Sequence, residues 1–286
     1  MYDLTSPKVI RALCNEYGFK FKKSYGQNFL TDSDVLYKIA EIAGEEGVLE
    51  IGPGFGTLTA FLAQRSKKVL AIELDESLKP IIDTTLAGFN NIDIVYKDIM
   101  KTDIRALLNE YFNGMSVSVA ANLPYYVTTP IVLKLLEERL PFKKVIVMVQ
   151  KEVGDRMVAK PGTKDYGALT IAVDYYSKAE IIEKVPASSF IPAPKVDSCV
   201  VSMEIRTEPY INADEKMFFS VVKAAFAQRR KTLSNGLANS GLFGTKENIQ
   251  KLIEELGYDG NVRGETLSII EFSNIARLLN ERGYLR

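Results

Sequence analysis

The stretch Val48-Leu49-Glu50-Ile51-Gly52-Pro53-Gly54-Phe55-Gly56-Thr57-Leu58-Thr59 decides the fold. Four strand-forming residues stop at a glycine. Three glycines then alternate through five positions, and helical spacing of Leu58, Phe61 and Leu62 follows up to Arg65. Glycine is required where the backbone turns sharply or approaches a ligand too closely for a Cβ. A strand, a glycine turn and a helix form the opening of an open α/β sheet, whose ligand lies at the carboxyl ends of the strands.

The pattern repeats outward from that point. Val69–Glu73, Ile92–Tyr96, Val117–Ala121 and Val145–Val149 read as further strands, with helices over 78–86 and 130–139. The last strand is apolar throughout, as a strand covered on both faces should be. Strands alternating with helices predict a parallel sheet with right-handed crossovers. After a helix over 168–176, the runs 178–185 and 196–206 have no helix between them and are expected to pair at the sheet edge. From Asp214 onward the reading is helical over 215–226, 245–256 and 268–281, separated by Asn235-Gly236 and Gly241-Leu242-Phe243-Gly244. The expected domains are 1–207, an α/β sheet with a basic N-terminal arm, and 208–286, a small all-α domain.

Composition limits the chemistry. The 286 residues contain 36 Lys plus Arg, 36 Asp plus Glu and no histidine, so His-based triads and His-ligated metals are excluded. No metal is expected. Cys14 and Cys199 make no disulfide scaffold, which favours a reducing compartment. The N-terminus has no apolar leader and no run reaches membrane-helix length, so a cytoplasmic protein without a membrane partner is expected.

The ligand follows from acids at successive strand ends. The glycine spacing is Gly-x-Gly-x-Gly, not the Gly-x-Gly-x-x-Gly of a dinucleotide site, which counts against a nicotinamide dehydrogenase. Glu73 ends the second strand and suits two ribose hydroxyls. Asp98 follows the third and suits an adenine amine. Ribose and adenine without a pyrophosphate fit S-adenosylmethionine. The fourth strand runs into Asn122-Leu123-Pro124-Tyr125-Tyr126. The Asn122 side-chain oxygen and a main-chain carbonyl of Leu123 or Pro124 are placed to accept both N–H bonds of an exocyclic amine. Tyr125 is placed to stack on a base held out of its helix.

Four segments in this order, Lys23–Leu30, the glycine loop, Asn122–Tyr126 and Phe190-Ile191-Pro192-Ala193-Pro194-Lys195-Val196-Asp197-Ser198, together resemble the ribosomal RNA adenine dimethyltransferase family, and its bacterial small-subunit branch in particular. The resemblance spans roughly residues 10 to 280. It implies a Rossmann-like class I methyltransferase sheet with a helical C-terminal domain. It also implies methyl transfer from S-adenosylmethionine to N6 of two adjacent adenines in the 3′-terminal hairpin loop of 16S rRNA, on an immature small subunit, with a role in subunit biogenesis. By the family pattern the cofactor residues are Gln27, Asn28, Leu30, Gly52, Gly54, Gly56, Glu73, Leu74, Asp98, Ile99 and Asn122. The catalytic set is Asn122, Leu123, Pro124, Tyr125 and Phe190, with Phe190 the second face of a sandwich around the target base. Lys97 stands where many members carry glycine. Alternatives are the large-subunit dimethyltransferase of antibiotic-resistance type and a binding protein that keeps only the fold.

Zero net charge gives no global footprint of an RNA partner, but the charge is uneven. Residues 216–231 carry five basic groups and no acid, residues 1–30 and 141–164 are net positive, and acids concentrate between 41 and 110. The expected RNA contacts are Lys22, Lys23, Lys195, Lys223, Arg229, Arg230 and Lys231, with the dense run 228–233 the best phosphate site. A monomer is expected.

Overall fold

The computed structural model describes residues 2–22, 26–208 and 210–284. In chain order the elements are α1 (Pro7–Glu16), β1 (Phe29–Leu30), α2 (Ser33–Ala43), β2 (Gly47–Ile51), α3 (Thr57–Arg65), β3 (Lys68–Glu73), α4 (Lys79–Thr85), β4 (Ile92–Tyr96), α5 (Ile104–Phe112), β5 (Val117–Asn122), α6 (Thr128–Glu137) and β6 (Phe142–Gln150). They continue with α7 (Lys151–Met157), α8 (Ala168–Tyr176), β7 (Ser177–Val185), β8 (Phe190–Ile191), β9 (Ser198–Ile205), α9 (Glu215–Ala227), α10 (Leu233–Asn239), α11 (Lys246–Glu255) and α12 (Ile269–Glu281).

Seven strands form one sheet in the order β4-β3-β2-β5-β6-β9-β7. The first five are parallel, and β9 runs antiparallel to β6. The chain leaves β2 towards β3 and β4, then returns to β5 on the other side. That reversal opens a crevice at the carboxyl ends of β2 and β5. The runs 178–185 and 196–206 do lie side by side at the edge, with β9 inside and β7 outermost. Between them, β8 leaves the sheet and pairs with β1 (Leu30 opposite Phe190).

The core explains the register. All five residues of β2 are buried, including Glu50. One layer packs α2 and α3 on the sheet through Leu36, Ile39, Leu58 and Leu62. Another gathers α1 and α4 around Phe55 and Phe29, whose rings stack with centroids 4.4 Å apart. Asp32 caps α2, accepting the N–H groups of Asp34 and Val35, and its other oxygen accepts the Ser189 hydroxyl at 2.9 Å. A cap of this kind contributes about 1 kcal/mol.

The chain divides into two compact units, Met1–Gly154 with Lys178–Ile205, and Asp155–Ser177 with Arg206–Arg286. A single cut at 207 differs from this division, because 155–177 joins the C-terminal helices. Tyr175 stacks on Phe218 (5.3 Å) and Tyr176 on Phe219 (5.8 Å), aromatic burial that local periodicity does not reveal. In the same unit Asn235-Gly236 lies inside α10 and does not separate helices. Thr232 caps that helix, and Gly236 is needed there because a Cβ would sit 3.1 Å from the Ala224 carbonyl oxygen on α9. Among the described residues no helix is long and apolar enough to cross a membrane.

Candidate active site

A cavity of about 300 Å³ opens at the crevice beyond β2 and β5. Of the sequence-predicted cofactor residues, Gln27, Asn28, Leu30, Gly52, Gly54, Glu73, Leu74, Asp98, Ile99 and Asn122 line it. Leu123, Pro124 and Tyr125 line it too. Gly56 does not: it is the left-handed N-cap of α3, with φ +84°. Phe190 also does not line the cavity. It is 3% exposed and belongs to the buried cluster that also holds Leu30, Leu36 and Val200, facing the cavity-lining Leu30 in the β1–β8 pair.

The glycine loop serves two purposes. At Gly54 a Cβ would fall 2.5 Å from Phe29, and at Gly56 it would fall 2.9 Å from Leu86. These two glycines are set by packing. At Gly52 (φ +75°) the nearest atom to a Cβ is the Asn122 carbonyl oxygen at 3.9 Å. The space over Gly52 is therefore left for a ligand.

Three carboxylates organise the wall. Glu73 accepts the N–H of Gly54 (3.2 Å) and of Asp75 (2.8 Å), and burial raises its pKa. Asp75, which sequence reasoning missed, holds both Lys22 and Gln27. Its carboxylate binds the Lys22 ammonium at 2.7 Å and accepts the Gln27 amide at 3.1 Å. Burial pushes Asp75 up, but Lys22, Ser77 and Gln27 outweigh it and hold the group below the usual range. Gln27 completes the loop by accepting the Lys22 N–H at 2.9 Å. Thus Lys22 has an acid partner in this wall, and Gln27 acts through Asp75. Glu50 was also missed, although an acid inside an apolar strand is a readable signal. It lines the cavity 1% exposed, its Oε2 has no hydrogen-bond partner among the described residues, and burial, opposed by the Thr59 hydroxyl and aided by the Glu73 charge, pushes its pKa up to about 8. A buried polar atom without a partner is costly unless a ligand completes it.

Asp98 keeps its carboxylate at the rim, accepting the Met100 N–H at 2.9 Å. Leu74 and Met100 are partly exposed beside it on the cavity lining and, with Ile99, offer an apolar slot for a flat ring.

The opposite wall is the turn after β5. The Asn122 amide nitrogen donates to the Asn28 carbonyl at 3.0 Å. A carbonyl only accepts, so this bond fixes the amide's orientation and leaves Oδ1 as the acceptor on the other side. The Pro124 carbonyl is already taken, by the Val127 N–H (3.2 Å) and the Thr128 hydroxyl (3.0 Å). Of the two expected carbonyls, that of Leu123 is therefore the candidate second acceptor. The Tyr125 hydroxyl bonds to buried Ser198 at 2.8 Å, which fixes its ring, and burial raises its pKa.

The expected RNA contacts differ in their surroundings. Lys23 lies outside the described residues. Lys195, Lys223, Arg230 and Lys231 are exposed. Arg229 is exposed but bound to Glu265 at 3.4 Å and to the Lys164 carbonyl. Among the described residues no group of acids and cysteines could hold a metal ion.

Comparison with known proteins agrees with this geometry. The family described as "Ribosomal RNA adenine dimethylase" matches residues 18–281. Proteins named "Ribosomal RNA small subunit methyltransferase A" from Bacillus cereus and Bacillus mycoides are each 50% identical, over 98% of both chains. Among solved structures, a dimethyladenosine transferase from Plasmodium falciparum superposes with a TM-score of 0.77 at 27% identity, covering 90% of this chain and 99% of that one. The 23S rRNA methyltransferase ErmE, at 24% identity and TM-score 0.66, covers 88% and 99% and shares the fold. The chain belongs to the ribosomal RNA adenine dimethylase family.

Proposed function

We propose that the protein dimethylates N6 of two adjacent adenines in the 3′-terminal hairpin loop of 16S rRNA. It would use S-adenosylmethionine and act on the immature small ribosomal subunit in the cytoplasm. The observation that carries the reading is Asn122, whose amide is oriented by Asn28 so that Oδ1 is left to accept from an exocyclic amine.

The cavity residues suit the cofactor. Glu73 would suit the ribose hydroxyls, the Asp98 rim with Leu74, Ile99 and Met100 the adenine, and the orphaned Glu50 oxygen a cationic ammonium. Bound there, S-adenosylmethionine supplies an electrophilic methyl on a sulfonium.

The protein's task is to present a weak nucleophile. The adenine N6 lone pair is delocalised into the ring. Asn122 Oδ1 and the Leu123 carbonyl accept its two N–H bonds and favour a pyramidal nitrogen whose lone pair is directed at the methyl. Tyr125, held by Ser198, stacks on the base. Transfer would leave the cofactor as a neutral thioether, and the N6 proton, acidic once the nitrogen is cationic, would leave to water. No histidine is needed, and rate comes from positioning.

The test is transfer of labelled methyl from S-adenosylmethionine to small subunits lacking the modification, against large subunits as control. Label in the small subunit supports the reading. Label confined to 23S rRNA selects the resistance-type activity, and no label in either refutes the enzyme.

A further inference from the structure

We propose that Tyr126 is a stacking platform for the base beside the target, so that one adenine of the pair rests on Tyr126 while its neighbour occupies the cavity. This rests on the adenine-dimethylation reading above. Tyr125 and Tyr126 are consecutive in the turn after β5, and both line the cavity, yet their surroundings differ. Tyr125 is half-buried with its hydroxyl bonded to Ser198. Tyr126 is 60% exposed, the most exposed of the large apolar and aromatic side chains among the described residues.

An exposed aromatic alone means little. This one is held in place at the mouth of the site. The Pro124 carbonyl, bonded by the Val127 N–H and the Thr128 hydroxyl, fixes the turn that carries it. Gly26 (φ +56°) runs beside the ring: a Cβ there would lie 3.4 Å from Cδ1 and 3.6 Å from Cε1 of Tyr126. The absence of a side chain at Gly26 thus leaves that side of the ring uncrowded, and much of the ring faces solvent.

The chemistry of the substrate supplies the occupant. Drawing one adenine out of its stack uncovers a face of the next, which regains a partner on an aromatic ring at the cavity mouth. Two adjacent adenines must enter in turn, and because the strand has one polarity the platform serves the one of them that lies on the Tyr126 side while the other reacts. Tyr126 would act as a positioning residue for the strand and leave the cofactor untouched.

The test combines Tyr126→Ala and Tyr126→Phe with small subunits reconstituted to carry adenine or uridine at one of the two positions. Readouts are kcat and KM for the subunit and, separately, Kd for S-adenosylmethionine. The proposal expects Tyr126→Ala to raise KM about tenfold, the usual scale of one base–aromatic stack, with cofactor Kd unchanged and Tyr126→Phe near wild type. Uridine, which stacks less well, should raise KM for wild type and add nothing for Tyr126→Ala. Additive effects of uridine and Tyr126→Ala, an unchanged KM in Tyr126→Ala, or a KM rise that follows cofactor Kd would each overturn it. Absence of any transfer by wild type would defeat the underlying reading as well, and is distinct from these results.

Discussion

Replacing Gly54 by alanine separates packing from ligand binding within the glycine loop. The new Cβ would lie 2.5 Å from Cε1 and 2.8 Å from Cδ1 of Phe29, against the 3.5–4.0 Å that carbon atoms prefer. Phe29 cannot yield cheaply, because it is 7% exposed and stacked on Phe55. Overpacking of this kind costs about 1–3 kcal/mol. Holding alanine at φ +59° adds roughly 1–2 kcal/mol. The sum, about 2–5 kcal/mol, is a large part of the about 5–15 kcal/mol that stabilises an ordinary domain. Gly52→Ala provides the contrast. Its Cβ meets nothing closer than 3.9 Å, so only the backbone strain remains, while the methyl intrudes on the space over the loop. Urea unfolding followed by circular dichroism, with cofactor binding by calorimetry, distinguishes them. Gly54→Ala should lower the midpoint clearly more than Gly52→Ala at equal slope, and Gly52→Ala should lose cofactor affinity while remaining folded. Equal midpoints for the two variants would refute the assignment of Gly54 to packing.

Three further outcomes follow from the site. Asn122→Asp should lower kcat by about 100-fold or more, because a carboxylate cannot donate to the Asn28 carbonyl; near-normal turnover would remove the amide from the mechanism. Glu50→Gln tests burial of the acid. With the folded pKa raised to about 8 from an ordinary 4.5, the native state holds a proton that the unfolded chain has lost, so stability falls as pH rises between those values and levels above 8. The variant should therefore gain on wild type across that window in denaturation series, and a constant difference from pH 5 to 9 would contradict it. Neutralising Arg230 and Lys231 together should weaken binding to the small subunit and flatten its dependence on log salt by about 2. An unchanged slope would exclude them as phosphate contacts.

The sheet is legible in the sequence because its determinants are local: apolar runs of strand length, a glycine turn and acids that end successive strands. The same locality made Glu73, Asp98 and Asn122 readable as site residues. What escaped is long-range. Asp75 matters through Lys22 and Gln27, which lie 53 and 48 positions away. Gly54 and Gly56 look like ligand-approach glycines, but Phe29 and Leu86, distant in sequence, also leave no room for a Cβ there. Phe190 reads as a site aromatic, but its burial in the pairing of β8 with β1 depends on a partner some 160 positions away and is not visible locally. Asn235-Gly236 reads as a break, and helix-to-helix contact absorbs it. Glu50 was readable, since a lone acid in a buried strand is unusual, but its missing partner is seen only once the surrounding atoms are in place.

The most direct test of the central claim is mass spectrometry of the 3′-terminal fragment of 16S rRNA after incubating unmodified small subunits with the protein and S-adenosylmethionine. Two adjacent adenines, each carrying two methyl groups on N6, are the expected result. An unmodified hairpin, or methyl groups on any atom other than adenine N6, would contradict it.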